Sequence, residues 1–128
     1  MSAGSELQGA AVRALSALPE LTGTYDGPPA RAPFPYAVVD AGTEQDWSHK
    51  SGVGREVLVA LTLWDDQPTR LQRLADAADA ALGSLGPVTD WQLVSFRFVK
   101  RRLVRDVSGP WAAALDYRAR LLSNEQGE

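Results

Sequence analysis

The stretch from Arg55 to Leu82 constrains this chain more than any other, because a period of two gives way there to a helical repeat. Val57, Val59, Leu61 and Leu63 are aliphatic, while Glu56, Leu58, Ala60, Thr62 and Trp64 between them form a mixed face. Successive strand side chains point to opposite sides, so this alternation predicts a β-strand with one dry face. Burying such a set of aliphatics contributes roughly 6–12 kcal/mol before chain entropy is subtracted. Asp65-Asp66-Gln67-Pro68-Thr69 ends the alternation. Asp66 is expected to cap the first amides of a helix, and Pro68 suits a first turn where its missing N–H has no partner. Leu71, Leu74, Ala75, Ala78 and Leu82 then follow helical spacing, with Arg70, Gln72, Arg73, Asp76 and Asp79 on the other side. Gly83 and Gly86-Pro87 stop the helix. A dry strand face followed at once by an amphipathic helix requires the helix to fold back on the strand. The rest of the chain must supply further strands and a second helix.

A chain of 128 residues with 45% hydrophobic content is expected to form one domain, residues 1–128, with an ordinary core. Flexible ends are expected at about 1–5 and 123–128. No apolar run approaches the ~20 residues of a membrane span. Glu6 and the lack of a continuous apolar stretch argue against a secretory signal at the start. The absence of cysteine removes disulfides, thiolate metal sites and thiol catalysis together. A net charge of −3 gives no reason to expect general nucleic-acid binding. Arginine outnumbers lysine eleven to two, as a GC-rich coding genome produces, and this carries no chemistry.

Ahead of the central strand, Leu7, Ala11, Ala14, Leu15 and Leu18 form an apolar stripe that predicts a helix over 6–18, ended by Pro19. Prolines and glycines make 19–35 a loop, and Tyr36-Ala37-Val38-Val39-Asp40 is a short strand. Residues 41–54 are polar and long for a connection, and loops of that length are usually functional or disordered. Trp47 in their midst needs a partner surface, which leaves two readings: it folds back on the sheet, or it serves an interface. After the second helix comes a long hairpin. Val94, Phe96 and Phe98 share a face, and Trp111, Ala113, Leu115, Tyr117, Ala119 and Leu121 share another. Matching the apolar rows pairs Phe98 with Tyr117, Phe96 with Ala119 and Val94 with Leu121, and puts the turn at Val107-Ser108. Lys100, Arg101, Arg102 and Arg105 place cations on both faces, so the outer half of the hairpin is expected to project as an arm. The expected fold class is α+β: a mainly antiparallel four-stranded sheet, two helices packed on it, and that projecting arm.

No catalytic constellation emerges. His49, the one histidine, lies in a glycine-bounded loop with no nucleophile assigned to it. Asp65-Asp66 is explained by helix capping and Asp40/Asp46 by turn chemistry, so neither pair requires a metal. Gly52-Val53-Gly54 precedes a strand, not the helix a phosphate loop needs. The basic run from Arg97 to Arg105 supports two readings: pairing with acidic groups of a neighbouring chain, which is favoured, or contact with DNA backbone.

"PYAVVD", a loop holding "DWSHKSG", the strand "EVLVALTLWDD", a Leu- and Ala-rich helix and a hairpin closing on "DYRARL" resemble the small tail-completion proteins of long-tailed phages. The same grouping occurs in prophages and gene transfer agents. The resemblance runs from about Leu7 to Leu122, with the loop "WS" and the Trp closing the central strand as its most specific pieces. It implies a tail terminator: a hexameric ring of this chain with itself, seated on the tail tube protein and facing a head-side connector. DNA would pass through its lumen. It implies a structural virion protein without catalytic residues, cofactor or membrane, assembled in the bacterial cytoplasm and located in the tail of a phage or phage-like particle. The loop Asp46, Trp47, Ser48, His49 and Lys50 and the run Arg97, Lys100, Arg101, Arg102 and Arg105 stand where the family places subunit and tube contacts. The competing reading is a small α+β ligand-binding or enzymatic domain, which would need convergent polar residues on the dry faces. A DNA-binding accessory protein would need a net basic chain.

Overall fold

A computed structural model of the chain describes residues 1–27, 29, 31–105, 107 and 109–124. Helix α1 (Ala3–Ser16) leads through a two-residue strand β1 (Thr24–Tyr25) to the long strands β2 (Tyr36–Asp46) and β3 (Gly54–Asp65). Helix α2 (Pro68–Leu82) follows, and β4 (Trp91–Arg105) and β5 (Trp111–Ser123) complete the fold. The sheet order is β1-β2-β3-β5-β4, antiparallel throughout except for the parallel pair β1–β2.

The alternation in β3 has the predicted result. Val57, Val59, Leu61 and Leu63 are at most 2% exposed, and Tyr117, Leu115 and Ala119 join them from β5. Both helices lie over this face, α1 through Leu7, Ala11 and Leu15 and α2 through Leu71, Leu74, Ala75, Ala78 and Leu82. Among the described residues no helix covers the opposite face of the sheet. Leu58 and Ala60 of β3 remain exposed there.

Two local devices hold the helices in place. The first is a β-bulge between Asp40 and Thr43 of β2. It leaves the Ala41 amide free of the ladder, and that amide donates to the Gln8 side-chain oxygen at 3.1 Å. One turn earlier in α1 the Gly4 amide donates to Glu44 Oε1 at 2.9 Å, and a Cβ on Gly4 would stand 2.8 Å from the Ala41 carbonyl oxygen. Only glycine lets helix and strand approach this closely. The second device is the corner between β3 and α2. Asp65 is fully buried, accepts the Gln67 amide at 3.2 Å and takes two hydrogen bonds from the Arg70 guanidinium at 2.7 and 2.6 Å. Burial pushes its carboxyl up, but the Arg70 bonds and the Gln67 amide outweigh that and hold it below the usual carboxylate range.

Several expectations change in the structure. The sheet has five strands and is mixed, not four-stranded, because Thr24 and Tyr25 pair with Ala37 and Val38 inside the segment read as loop. A two-residue strand among prolines leaves no periodicity to read. Helix α1 begins at Ala3 with Ser2 as its cap, so 2–4 are tied down within the stretch expected to be flexible. Of the expected tail, Ser123 closes β5 and residues 125–128 lie outside the described residues. Asp66 does not cap α2; Gln67 occupies the cap position with no side-chain bond, and Asp65, one position inward, holds the corner. The strand at 36–40 continues to Asp46, which reduces the loop 41–54 to residues 47–53.

The hairpin does not stand off as an arm. Strand β3 is long enough to pair with β5 from Leu122 to Trp111, so β4 is carried along the whole sheet. Phe98 faces Tyr117 and Phe96 faces Ala119 as expected, but Leu93 replaces Val94 opposite Leu121 because of a bulge between Leu93 and Ser95. A second bulge follows between Phe98 and Lys100. Of the turn placed at Val107-Ser108, Ser108 lies outside the described residues.

Candidate assembly surfaces

The loop 47–53 closes the β2–β3 hairpin. The Trp47 amide donates to the Gly54 carbonyl at 2.9 Å, and His49 and Gly52 exchange backbone bonds of 2.9 and 3.2 Å, so even this connection is narrowed to a second paired rung. The Ser48 hydroxyl donates to Asp46 Oδ1 at 2.6 Å and accepts the Gly54 amide at 3.1 Å. Trp47 folds back: the Arg120 guanidinium lies 5.4 Å from its ring centroid, and the His49 ring meets it edge-on at 4.5 Å. A side chain at Gly54 would overlap the Trp47 carbonyl, so the close fit depends on glycine. His49 and Lys50 are exposed beyond this anchored base.

The sheet continues the same network on its bare face. Arg120 donates to Glu56 Oε2 at 2.9 Å, Gln45 donates to Glu56 Oε1 at 2.7 Å, and Arg118 approaches Glu56 to 3.9 Å. The hydrogen bond from Arg120 holds the Glu56 carboxyl below its ordinary range. Sequence reading missed Arg120, Arg118 and Glu56. Their one available signal was their position on the outward side of two strands whose inward residues are apolar.

The five cations of β4 divide. Arg101 turns to the helix face and binds Asp76 at 2.6 Å and the Gln72 side-chain oxygen at 2.5 Å. Its acidic partner is therefore in its own chain. Lys100 points to the bare face, 3.9 Å from Asp116. Arg105 lies over the Trp111 ring at 5.4 Å. Arg97, opposite Arg118, and Arg102, opposite Ala114, are exposed with no ion-pair or hydrogen-bond partner among the described residues. The two expected clusters do not meet. Asp46–Lys50 lie at the end of the sheet where Gly54 pairs with Leu122, and Arg105 lies at the other, where Asp65 pairs with Trp111. At roughly 3.3 Å per residue that separation is about 35 Å.

A depression of about 400 Å³ on the bare face is lined by Asp40, Leu58, Ala60, Val99, Lys100 and Asp116 among others. Its closest charged pair is the Lys100–Asp116 contact at 3.9 Å. Among the described residues no group of three His, Cys, Asp or Glu side chains could hold a metal ion, and no helix is long and apolar enough to cross a membrane. On the dry face, Tyr117 donates its hydroxyl to Asp79 at 2.6 Å, and burial followed by that bond raises its phenol. This bond ties α2 to the sheet.

A helix-backed sheet with one bare face, an anchored loop and a long edge strand defines a structural subunit whose distinctive features lie on its surface. The chain belongs to the tail completion protein gp17 family, whose model matches residues 9–122, and its role is that family's structural one in tail completion. A chain in the virion of a native gene transfer agent particle is similar to it at 27% identity and TM-score 0.64, over 91% of this chain and 95% of that one. The bacteriophage SPP1 gp17 protein shares the fold at 18% identity and TM-score 0.59, over 98% and 94%. No curated protein sequence matches the chain.

Proposed function

We propose that this chain is the tail terminator of a phage or gene-transfer-agent particle, a hexameric ring that sits on the last ring of the tail tube, ends its growth and presents a surface to the head-side connector. The observation that carries this reading is the family match over 9–122, joined by likeness over 95% of a chain from a native gene transfer agent virion. The surface agrees with it: among the large hydrophobic side chains left exposed, Val94, Phe98, Val99 and Val104 lie on one edge strand and Leu58 on the bare sheet face, where a neighbouring copy can cover them. The subunit assembles in the bacterial cytoplasm, and the loop Asp46–Lys50 contacts the tube or a neighbour through His49 and Lys50, which the anchored Trp47 holds out. Arg97 and Arg102, without ion-pair or hydrogen-bond partners among the described residues, serve the subunit interface; lining of a DNA-filled lumen is the alternative for them.

Electron microscopy of a lysate from a particle-forming strain lacking this chain tests the reading. Heads without functional tails, with tubes of uncontrolled length or none, are expected. Normal-length tails attached to heads would overturn the terminator assignment.

A further inference from the structure

The two edges of the sheet carry opposite charge. Strand β4, on one edge, holds Arg97, Lys100, Arg101, Arg102 and Arg105 and no acidic residue. Strand β2, at the other, holds Asp40, Glu44 and Asp46 and no cation; Glu44 and Asp46 pair with Arg55 of β3 at 3.5 and 3.3 Å, which leaves Asp40, with Asp26 just after β1, as the acidic groups of this edge outside any ion pair. Parallel pairing of Thr24 with Ala37 and Tyr25 with Val38 ends one residue before Asp26 on β1 and two before Asp40 on β2. Both Asp26 and Asp40 are exposed and in no ion pair among the described residues. The basic edge is also the uncovered one. Val94, Phe98, Val99 and Val104 of β4 are 43–52% exposed, and β4 has a strand partner on one side only. Long edges with apolar side chains are ordinarily covered.

We propose that β4 of one subunit docks on the acidic β1–β2 edge of a second copy of this chain, and that this is the contact that closes the ring. The inference rests on the ring reading above and adds which surfaces meet. A two-fold contact of β4 with β4 would set the unpaired Arg97 and Arg102 of each copy against a second basic strand, and like charges directly opposed are destabilising. Acidic edge against acidic edge fails for the same reason. Only a head-to-tail contact places opposite charges together, and such a heterologous contact closes into a ring when the rotation from copy to copy divides a full turn. The Ala41 and Gly42 amides are already taken by Gln8 and Asp40 side chains, so the contact is made by side chains and apolar cover rather than by a continued ladder.

The test uses two variants. One, Arg97→Glu/Arg102→Glu, alters side chains without described partners; the other is Asp26→Lys/Asp40→Lys. Native mass spectrometry and sedimentation, with tail tubes supplied, read assembly; circular dichroism checks that each variant is folded. Each variant alone is expected to lose at least roughly a hundredfold in association. Mixed one to one, they should assemble again, because the acidic edge created on the first then meets the basic edge created on the second. Folded variants that assemble alone as the wild type does, or that fail to recover on mixing, overturn the edge-to-edge contact and leave the ring reading standing. A wild-type chain that stays monomeric even on tubes overturns the ring and the contact with it.

Discussion

Strands β3 and β4 are both long, both bonded to β5 and both rich in apolar residues, yet only β3 is buried. Val57, Val59, Leu61 and Leu63 disappear beneath the helices, whereas no residue of β4 is fully buried. The difference is position, not composition. Strand β3 has neighbours on both edges and helices across one face, while β4 has one neighbour, and α2 reaches it through the side chains that hold Arg101. Apolar alternation therefore marks core only where the topology brings cover. On an edge the same pattern marks what a second chain can complete.

Substitutions sharpen this contrast. Leu61→Ala removes a side chain that is 1% exposed in the middle of β3 and is expected to cost about 3–4 kcal/mol, measured by urea unfolding. Phe98→Ala, on β4 and 52% exposed, should cost under about 1 kcal/mol in the free subunit; an equal cost would break the comparison.

Arg70→Ala should cost about 3 kcal/mol, because it strands the buried Asp65 carboxylate. The pH dependence gives the sharper reading. In the wild type the Asp65 carboxyl titrates lower folded than unfolded, so its contribution is full above the unfolded pKa and is lost as pH falls through the folded one. Without Arg70, burial dominates and favours the protonated acid, so lowering the pH from neutral should recover stability in the variant while the wild type loses it.

Tyr117→Phe removes the bond to Asp79 and is expected to cost about 1 kcal/mol by thermal melts, with the sheet intact. The smallest effect belongs to β4 itself. Arg101→Ala breaks its pair with Asp76, whose side chain is 73% exposed, and should cost no more than about 0.5 kcal/mol. A loss as large as that at Leu61 would mean that β4 is part of the core after all.

The central strand and α2 were legible because each carries a period long enough to leave a single face dry. The pairing of Phe98 with Tyr117 was legible too, since aromatic and small residues match there. The two bulges of β4 were not. Each adds a residue without any Gly or Pro to mark it, so the register drifts and Leu93 takes the place expected of Val94. The role of Asp65 was hidden by its neighbour, because two adjacent aspartates offer the same capping chemistry and only the inward-facing one is buried. For Trp47 the sequence leaves folding back on the sheet and an interface role both open, because its partner Arg120 lies 73 positions away, beyond any local pattern. The division of the basic run was equally invisible, since which cation faces α2 depends on the second bulge.

The strand order has a consequence for synthesis. Strand β5 comes last in the chain, yet it lies between β3 and β4, bonded to both along nearly its whole length. While the polypeptide emerges from the ribosome, β3 can gather β2 and α2 but keeps one apolar edge open, and β4 has nothing to join. The sheet becomes continuous only when the final strand slides into the gap, so its most central rungs are also the latest to form. A chain cut short before Trp111 would be left with two unconnected pieces and an exposed edge prone to pairing with other nascent chains.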